Sequence, residues 1–132
     1  METDRAAITA ILRKYAAYCN NGDFESWIAL WEANGCQMPP DTPSRVGVDA
    51  IRKAMQPAFE GMNLKLDLVN VDEATVVGDI GLTRCTYSLT ATPKGGGEAI
   101  ALMPDGKALT LYRRQSDGSW KISYDCFNSN AR

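Results

Sequence analysis

The residues in this sequence best suited to chemistry are Tyr15 and Asp125. A tyrosine hydroxyl can donate a hydrogen bond to a ligand carbonyl, and a carboxyl group held out of water becomes an acid or base close to neutral pH. Each also has a plainer role open to it. Tyr15 falls on an apolar helical stripe, where tyrosines pack as core residues with the hydroxyl reaching a neighbour. Asp125 has Arg113, Arg114 and Lys121 within adjacent strand-like stretches as ion-pair partners. The 132 residues include no histidine. That removes Ser-His-Asp and Cys-His nucleophile systems, the commonest zinc sites and the usual general base at neutral pH. Any catalysis must run on carboxylates, Tyr, Lys, Arg or Cys. Cys19, Cys36, Cys85 and Cys126 are scattered without a CxxC pair, so they read as buried free thiols and no metal site is expected. Lys94, Lys107 and the glycines 95–97 lack phosphate-loop spacing, and no cofactor is expected.

These groups need elements to position them. Residues 4–19 place Ile8, Ile11, Leu12, Tyr15 and Cys19 at the spacing of an amphipathic helix. "NNGD" then supplies a stop at Gly22 and an N-cap at Asp23 for a second helix over residues 24–32, with Phe24, Trp27, Ile28 and Trp31 on one face. The prolines of "CQMPPDTPSRVG" confine any strand there to Cys36–Met38. "VDAIRKAM" restarts a helix, and Pro57 is expected to end or kink it near Met55 or Gln56. From Asn63 the period changes to two: Leu64, Leu66 and Leu68 alternate with Lys65 and Asp67, and a bulge or bend is expected where the apolar set moves to Val69 and Val71. "IGLTRCTYSLTATP", "KALTLYRRQ" and "SWKISYDCFNS" complete four long antiparallel strands, the last two joined by "SDG". The Gly-rich stretch 94–105 is expected to be a poorly ordered loop or lid. In the last strand Trp120, Ile122 and Tyr124 alternate with Ser123, Asp125 and Phe127. The expectation is an apolar outer face that pairs with a second copy, and an inner face turned to a pocket.

Helices first and strands afterwards indicate a single α+β domain over residues 1–132. A net charge of −2 without a basic cluster argues against nucleic acid, and no apolar run approaches ~18 residues, so no membrane is expected. The start "METDRAAITAILRKY" has no leader pattern, and the expected address is cytoplasmic.

Four stretches carry a family resemblance: "NNGDFESWIALW", the loop into "VGVDAIRKAM", the "VGD" turn, and the closing "GKALTLYRRQSDGSWKISYDCFNS". Together they resemble the SnoaL-like, ketosteroid-isomerase-like branch of the nuclear transport factor two-like superfamily, over essentially the whole chain. The resemblance implies a cystatin-like cone, with three N-terminal helices packed on a strongly bent antiparallel sheet around a mostly apolar cavity. It also implies a homodimer through the outer face of the sheet. It does not supply a reaction, because the same cone serves several chemistries and non-catalytic assembly modules. A ketosteroid-isomerase set needs an Asp base, a Tyr and a protonated Asp. Tyr15 matches the Tyr, but Pro39 stands at the base position and Thr110 near the acid. The dehydratase and cyclase sets need histidine. An epoxide-hydrolase set finds only Arg84 or Arg114 with Asp125.

Residues and resemblance together indicate a binding domain for a small apolar molecule, either a binder or an isomerase or cyclase acting on a hydrophobic carbonyl compound. The alternative is a non-catalytic dimerisation module. Tyr15 and Asp125 are the expected catalytic pair. The expected pocket lining is Trp27, Trp31, Met38, Met55, Phe59, Tyr87, Tyr112, Arg114, Ser123, Phe127 and Asn128.

Overall fold

A computed structural model describes residues 2–131. Helix α1 spans Glu2–Asn21 and buries Ile8, Ile11, Leu12, Ala16 and Cys19 along one stripe. Helix α2 spans Phe24–Ile28, with Asp23 accepting a hydrogen bond from the Ser26 amide as its N-cap. It stops short of the expected Glu32. Trp31 instead opens strand β1, Trp31–Met38, whose longer run is drawn out by parallel pairing with the last strand. A two-residue strand β2, Arg45–Val46, pairs with β1. Helix α3, Val48–Gly61, continues through Pro57 instead of ending before it. The missing amide and ring clash cost about 3 kcal/mol, and Phe59, buried just beyond the proline, returns a comparable amount by leaving water.

Strands β3 (Met62–Val77), β4 (Ile80–Pro93), β5 (Ile100–Arg114) and β6 (Trp120–Ser129) form the expected antiparallel meander. The sheet order is β2-β1-β6-β5-β4-β3, with the β1–β6 pair parallel and all others antiparallel. Register shifts between Leu68 and Asn70 and between Val71 and Glu73 bend β3 where the sequence moves its apolar set. Residues 100–105 are paired strand, Ala91 opposite Ile100 and Leu89 opposite Met103, so the loop narrows to residues 94–99. Gly106 permits that close path: a Cβ there would lie 2.6 Å from the Met103 side chain and 2.7 Å from the Tyr87 ring.

The helices lie against one face of the sheet and form an aromatic core with it. Trp27, fully buried, has the rings of Tyr15, Phe24, Trp31 and Phe59 within 5.4 to 6.0 Å. Trp120, Ile122 and Tyr112 complete this cluster from the sheet. That corrects the expectation of an outer patch built on Trp120 and Ile122. The register slips between Leu111 and Tyr112: Tyr124 pairs with Leu111 and Ile122 with Tyr112, leaving Ser123 without an opposite residue. An extra residue of this kind reverses strand parity. Trp120 and Ile122 face the helices before the bulge, Asp125 and Phe127 face them after it, and Tyr124 turns outward. Among the described residues no helix is long and apolar enough to cross a membrane.

Candidate functional site

Beyond the aromatic core, α1, α3 and the inner face of the sheet leave a cavity of about 320 Å³. Its walls are mainly apolar. Leu64, Leu66 and Leu68 enter from β3, Leu89 from β4, Met55 from α3 and Phe127 from β6. The period-two alternation of "NLKLDLV" puts all three β3 leucines on one face, which is why they arrive together.

Asp125 is set into this wall. Its neighbours are fixed by register: Gln37 on β1 and Thr110 on β5 are its cross-strand partners. The Tyr15 hydroxyl comes down from α1, one helical turn from Leu12 and Cys19, and donates to Asp125 Oδ2 at 3.0 Å. The Thr110 hydroxyl donates to Oδ1 at 3.0 Å. Asp125 is 3% exposed. Burial pushes its carboxyl up to about 6, against the two hydroxyl donors, which favour the charged form. Burial and the adjacent carboxylate push the Tyr15 hydroxyl well above its ordinary range, so it stays protonated and remains a donor. A carboxyl that titrates near neutrality, fixed by a phenol in an apolar chamber, can give or accept a proton. Burial pushes the Cys19 and Cys85 thiols in the same wall up to about 12, which leaves them unreactive as nucleophiles. All four cysteines are free. Among the described residues no group of three or more Cys, Asp or Glu side chains gathers as a metal site would require.

The structure brings Tyr15, Asp125, Met55, Tyr87 and Phe127 of the expected residues to the cavity. It places the others elsewhere. Trp27, Trp31, Phe59 and Tyr112 are solid core, and Tyr112 spends its hydroxyl on Thr83 at 2.9 Å. Ser123 is the buried bulge residue and Met38 is off the wall. Asn128 lies on the outer face, in a shallow depression with Lys107 and Cys126. Arg114 stands at the opposite end of the molecule. It holds Asp4 through Nη1 at 3.0 Å and Nη2 at 2.9 Å, reaches Asp79 through Nε at 3.0 Å, and lies 4.4 Å over the Trp120 ring.

Gln37 and Arg45 are cavity residues that the residue pattern alone did not suggest. They come from the end of β1 and from the two-residue β2, on either side of the proline-containing loop, and their inward parity depends on the pairing of β1 with β6 and of β2 with β1. Pro39 and Thr110, which occupy the base and acid positions of the ketosteroid-isomerase pattern, also line the cavity.

Residues 2–124 match the family profile described as a SnoaL-like domain. No curated protein matches the chain. Solved structures share its fold. A ketosteroid isomerase-like protein from Erwinia carotovora atroseptica SCRI1043 superimposes with a TM-score of 0.80 at 24% identity, over 100% of this chain and 99% of that one. A nuclear transport factor 2 (NTF2-like) superfamily protein from Salmonella enterica serovar Typhimurium gives 0.83 at 14% identity, over 99% and 94%. An NTF2-like protein with a cystatin-like fold from Novosphingobium aromaticivorans gives 0.78 at 18% identity, over 98% and 84%.

Proposed function

Because the chain belongs to the SnoaL-like domain family of the NTF2-like superfamily, whose fold houses both binding proteins and isomerase-type enzymes, we propose that it binds a small, mostly apolar carbonyl compound in the cavity and moves a proton on it. The observation that supports this is the buried Tyr15–Asp125–Thr110 cluster set in a mainly apolar wall. At pH 7 a carboxyl with a pKa of about 6 is ionised in roughly nine molecules of ten. It then acts as base: Asp125 Oδ2 takes a proton from the carbon beside the ligand carbonyl. The C–H electron pair delocalises onto the carbonyl oxygen, where the Tyr15 hydroxyl, released from Asp125, donates its hydrogen bond. Return of the proton from Asp125 to a different carbon gives an isomer; if Asp125 first trades that proton for one from solvent, reprotonation at the same carbon gives exchange. Tyr15 thus stabilises charge where it develops, in a site with little water to compete.

The test is proton exchange. A hydrophobic β,γ-unsaturated ketone incubated with the protein in D2O should exchange the hydrogens next to its carbonyl, followed by proton NMR. Asp125→Asn should slow the exchange by about 10²–10⁴-fold, the usual worth of a positioned general base. No exchange above the buffer rate across such ketones, with the ketone demonstrably bound, leaves a binding protein without catalysis.

A second reading, homodimerisation through the outer face of the sheet, is favoured by one observation. Leu109 and Tyr124 are 44% and 42% exposed on the side away from the helices. They stand on neighbouring strands as diagonal neighbours, Leu109 opposite Cys126 and Tyr124 opposite Leu111. Side by side they offer an apolar patch for a second copy.

A further inference from the structure

A polar row five strands wide crosses the inner face of the sheet. Arg45 on β2, Gln37 on β1, Asp125 on β6, Thr110 on β5 and Thr83 on β4 are successive cross-strand partners. From Thr83 to Asp125 the row is satisfied: Thr83 bonds Tyr112, and Thr110 and Tyr15 both donate to Asp125. The other end is not. Arg45 Nη1 donates to Gln37 Oε1 at 2.7 Å and toward Met55 Sδ at 3.4 Å. A guanidinium can only donate, so that bond fixes the Gln37 carboxamide with its oxygen toward Arg45. Its Nε2 is then a buried donor with no acceptor. Arg45 itself is the one basic side chain in the cavity wall, and among the described residues no carboxylate pairs with it. A half-buried cation whose partners are an amide oxygen and a thioether, beside an unmatched amide donor, is a site short of acceptor oxygens and negative charge.

We propose that the ligand carries a carboxylate, bound by Arg45 with Gln37 beside it, and that this cavity therefore selects an apolar oxo acid over a neutral ketone. The inference rests on the reading of the cavity as a binding site for a carbonyl compound, and adds its second pole. One guanidinium matches the planar, singly charged carboxylate through two parallel bonds, whereas a phosphate dianion would need a second cation that the wall does not offer. Arg45 and Asp125 stand two strand spacings apart, about 10 Å at the backbone. The carboxylate and the carbonyl are thus bound at separate points of the wall, and the apolar body of the ligand lies against the β3 leucines and Phe127.

Calorimetric titration at pH 7 with three probes tests this: 4-oxo-4-phenylbutanoate, its primary amide, and 1-phenylbutan-1-one, which lacks the acid group. The acid should bind about tenfold more tightly than the amide, the worth of one charge-assisted contact. Arg45→Met should remove that preference by weakening the acid about tenfold more than it weakens 1-phenylbutan-1-one, and Arg45→Lys should restore part of it. Equal binding of acid and amide by the unaltered protein overturns the inference, and this comparison stands even if the Arg45 variants fold poorly. Equal weakening of acid and ketone by Arg45→Met also overturns it. If the ketone binds and the acid does not, the carboxylate pole falls while the carbonyl site stands. If none of the three binds, both fall.

Discussion

Asp125 is the residue on which structure and chemistry meet, and its burial has a thermodynamic consequence apart from any ligand. Its folded pKa is raised from 3.8 to about 6, so between those values the folded protein holds a proton that the unfolded chain has released. Stability from this group is therefore present below about pH 4 and declines as pH rises through 6, by about 2–3 kcal/mol in all. Asn keeps the shape and cannot ionise. Urea unfolding should show Asp125→Asn gaining on the parent protein between pH 4.5 and pH 7.5, by about 2 kcal/mol. A pH-independent difference between the two would mean that Asp125 is hydrated or paired in solution. The tyrosine partner was legible in advance because Ile8, Ile11, Leu12, Tyr15 and Cys19 share one helical stripe, which fixes the direction in which Tyr15 points. Gln37 and Arg45 were not legible, because the stretches on either side of a proline-rich loop, without a clear alternation of their own, acquire a parity only from the strands they join.

At the scale of elements, the same physics separates what could be read from what could not. The β3 leucines, the bend near Val69 and the meander of four long strands arise from local period and turn chemistry. The parity of β6 does not. "SWKISYDC" alternates without interruption as a sequence, and the bulge at Ser123 is set by the register with Leu111 and Tyr112 on β5 and by the irregular stretch between Trp31 and Cys36 on β1. Long-range pairing thus let the strand serve the core with Trp120 and Ile122 and the cavity with Asp125 and Phe127. Helix α1 needs a comparable anchor to hold Tyr15 over the sheet. Asn20 provides it, accepting from the Leu66 amide at 2.6 Å and donating to the Leu66 carbonyl at 3.0 Å, in the manner of an extra strand. Both bonds are lost in Asn20→Ala, and each is worth about 1 kcal/mol. A loss of about 1–2 kcal/mol in chemical denaturation is expected, together with weaker ligand binding as Tyr15 loses its fixed height.

The molecule as a whole has a closed end and an open end. At the closed end Arg114 joins α1 to the β3–β4 turn over the face of Trp120, and the aromatic cluster fills the space beneath. At the open end the same two layers diverge around the cavity. This division decides what Trp120 and Leu109 should do when changed. Trp120 is 7% exposed and packs under Arg114, so Trp120→Ala should cost about 3–5 kcal/mol of stability, as large-to-small changes in a filled core do. It should not alter association of whatever protein remains folded. Leu109 is 44% exposed on the opposite face, outside the helix-covered core. If that face pairs with a second copy, Leu109→Asp would bury a charge at the contact without an opposite partner, a substitution that costs an interface several kcal/mol and leaves the isolated fold intact. Sedimentation at micromolar concentration should then show the parent protein near twice its 14.4 kDa chain mass and Leu109→Asp near the mass of one chain, with unchanged far-ultraviolet circular dichroism. A parent protein that sediments as a single chain would remove the outer face from consideration and leave Leu109 and Tyr124 as ordinary exposed apolar residues.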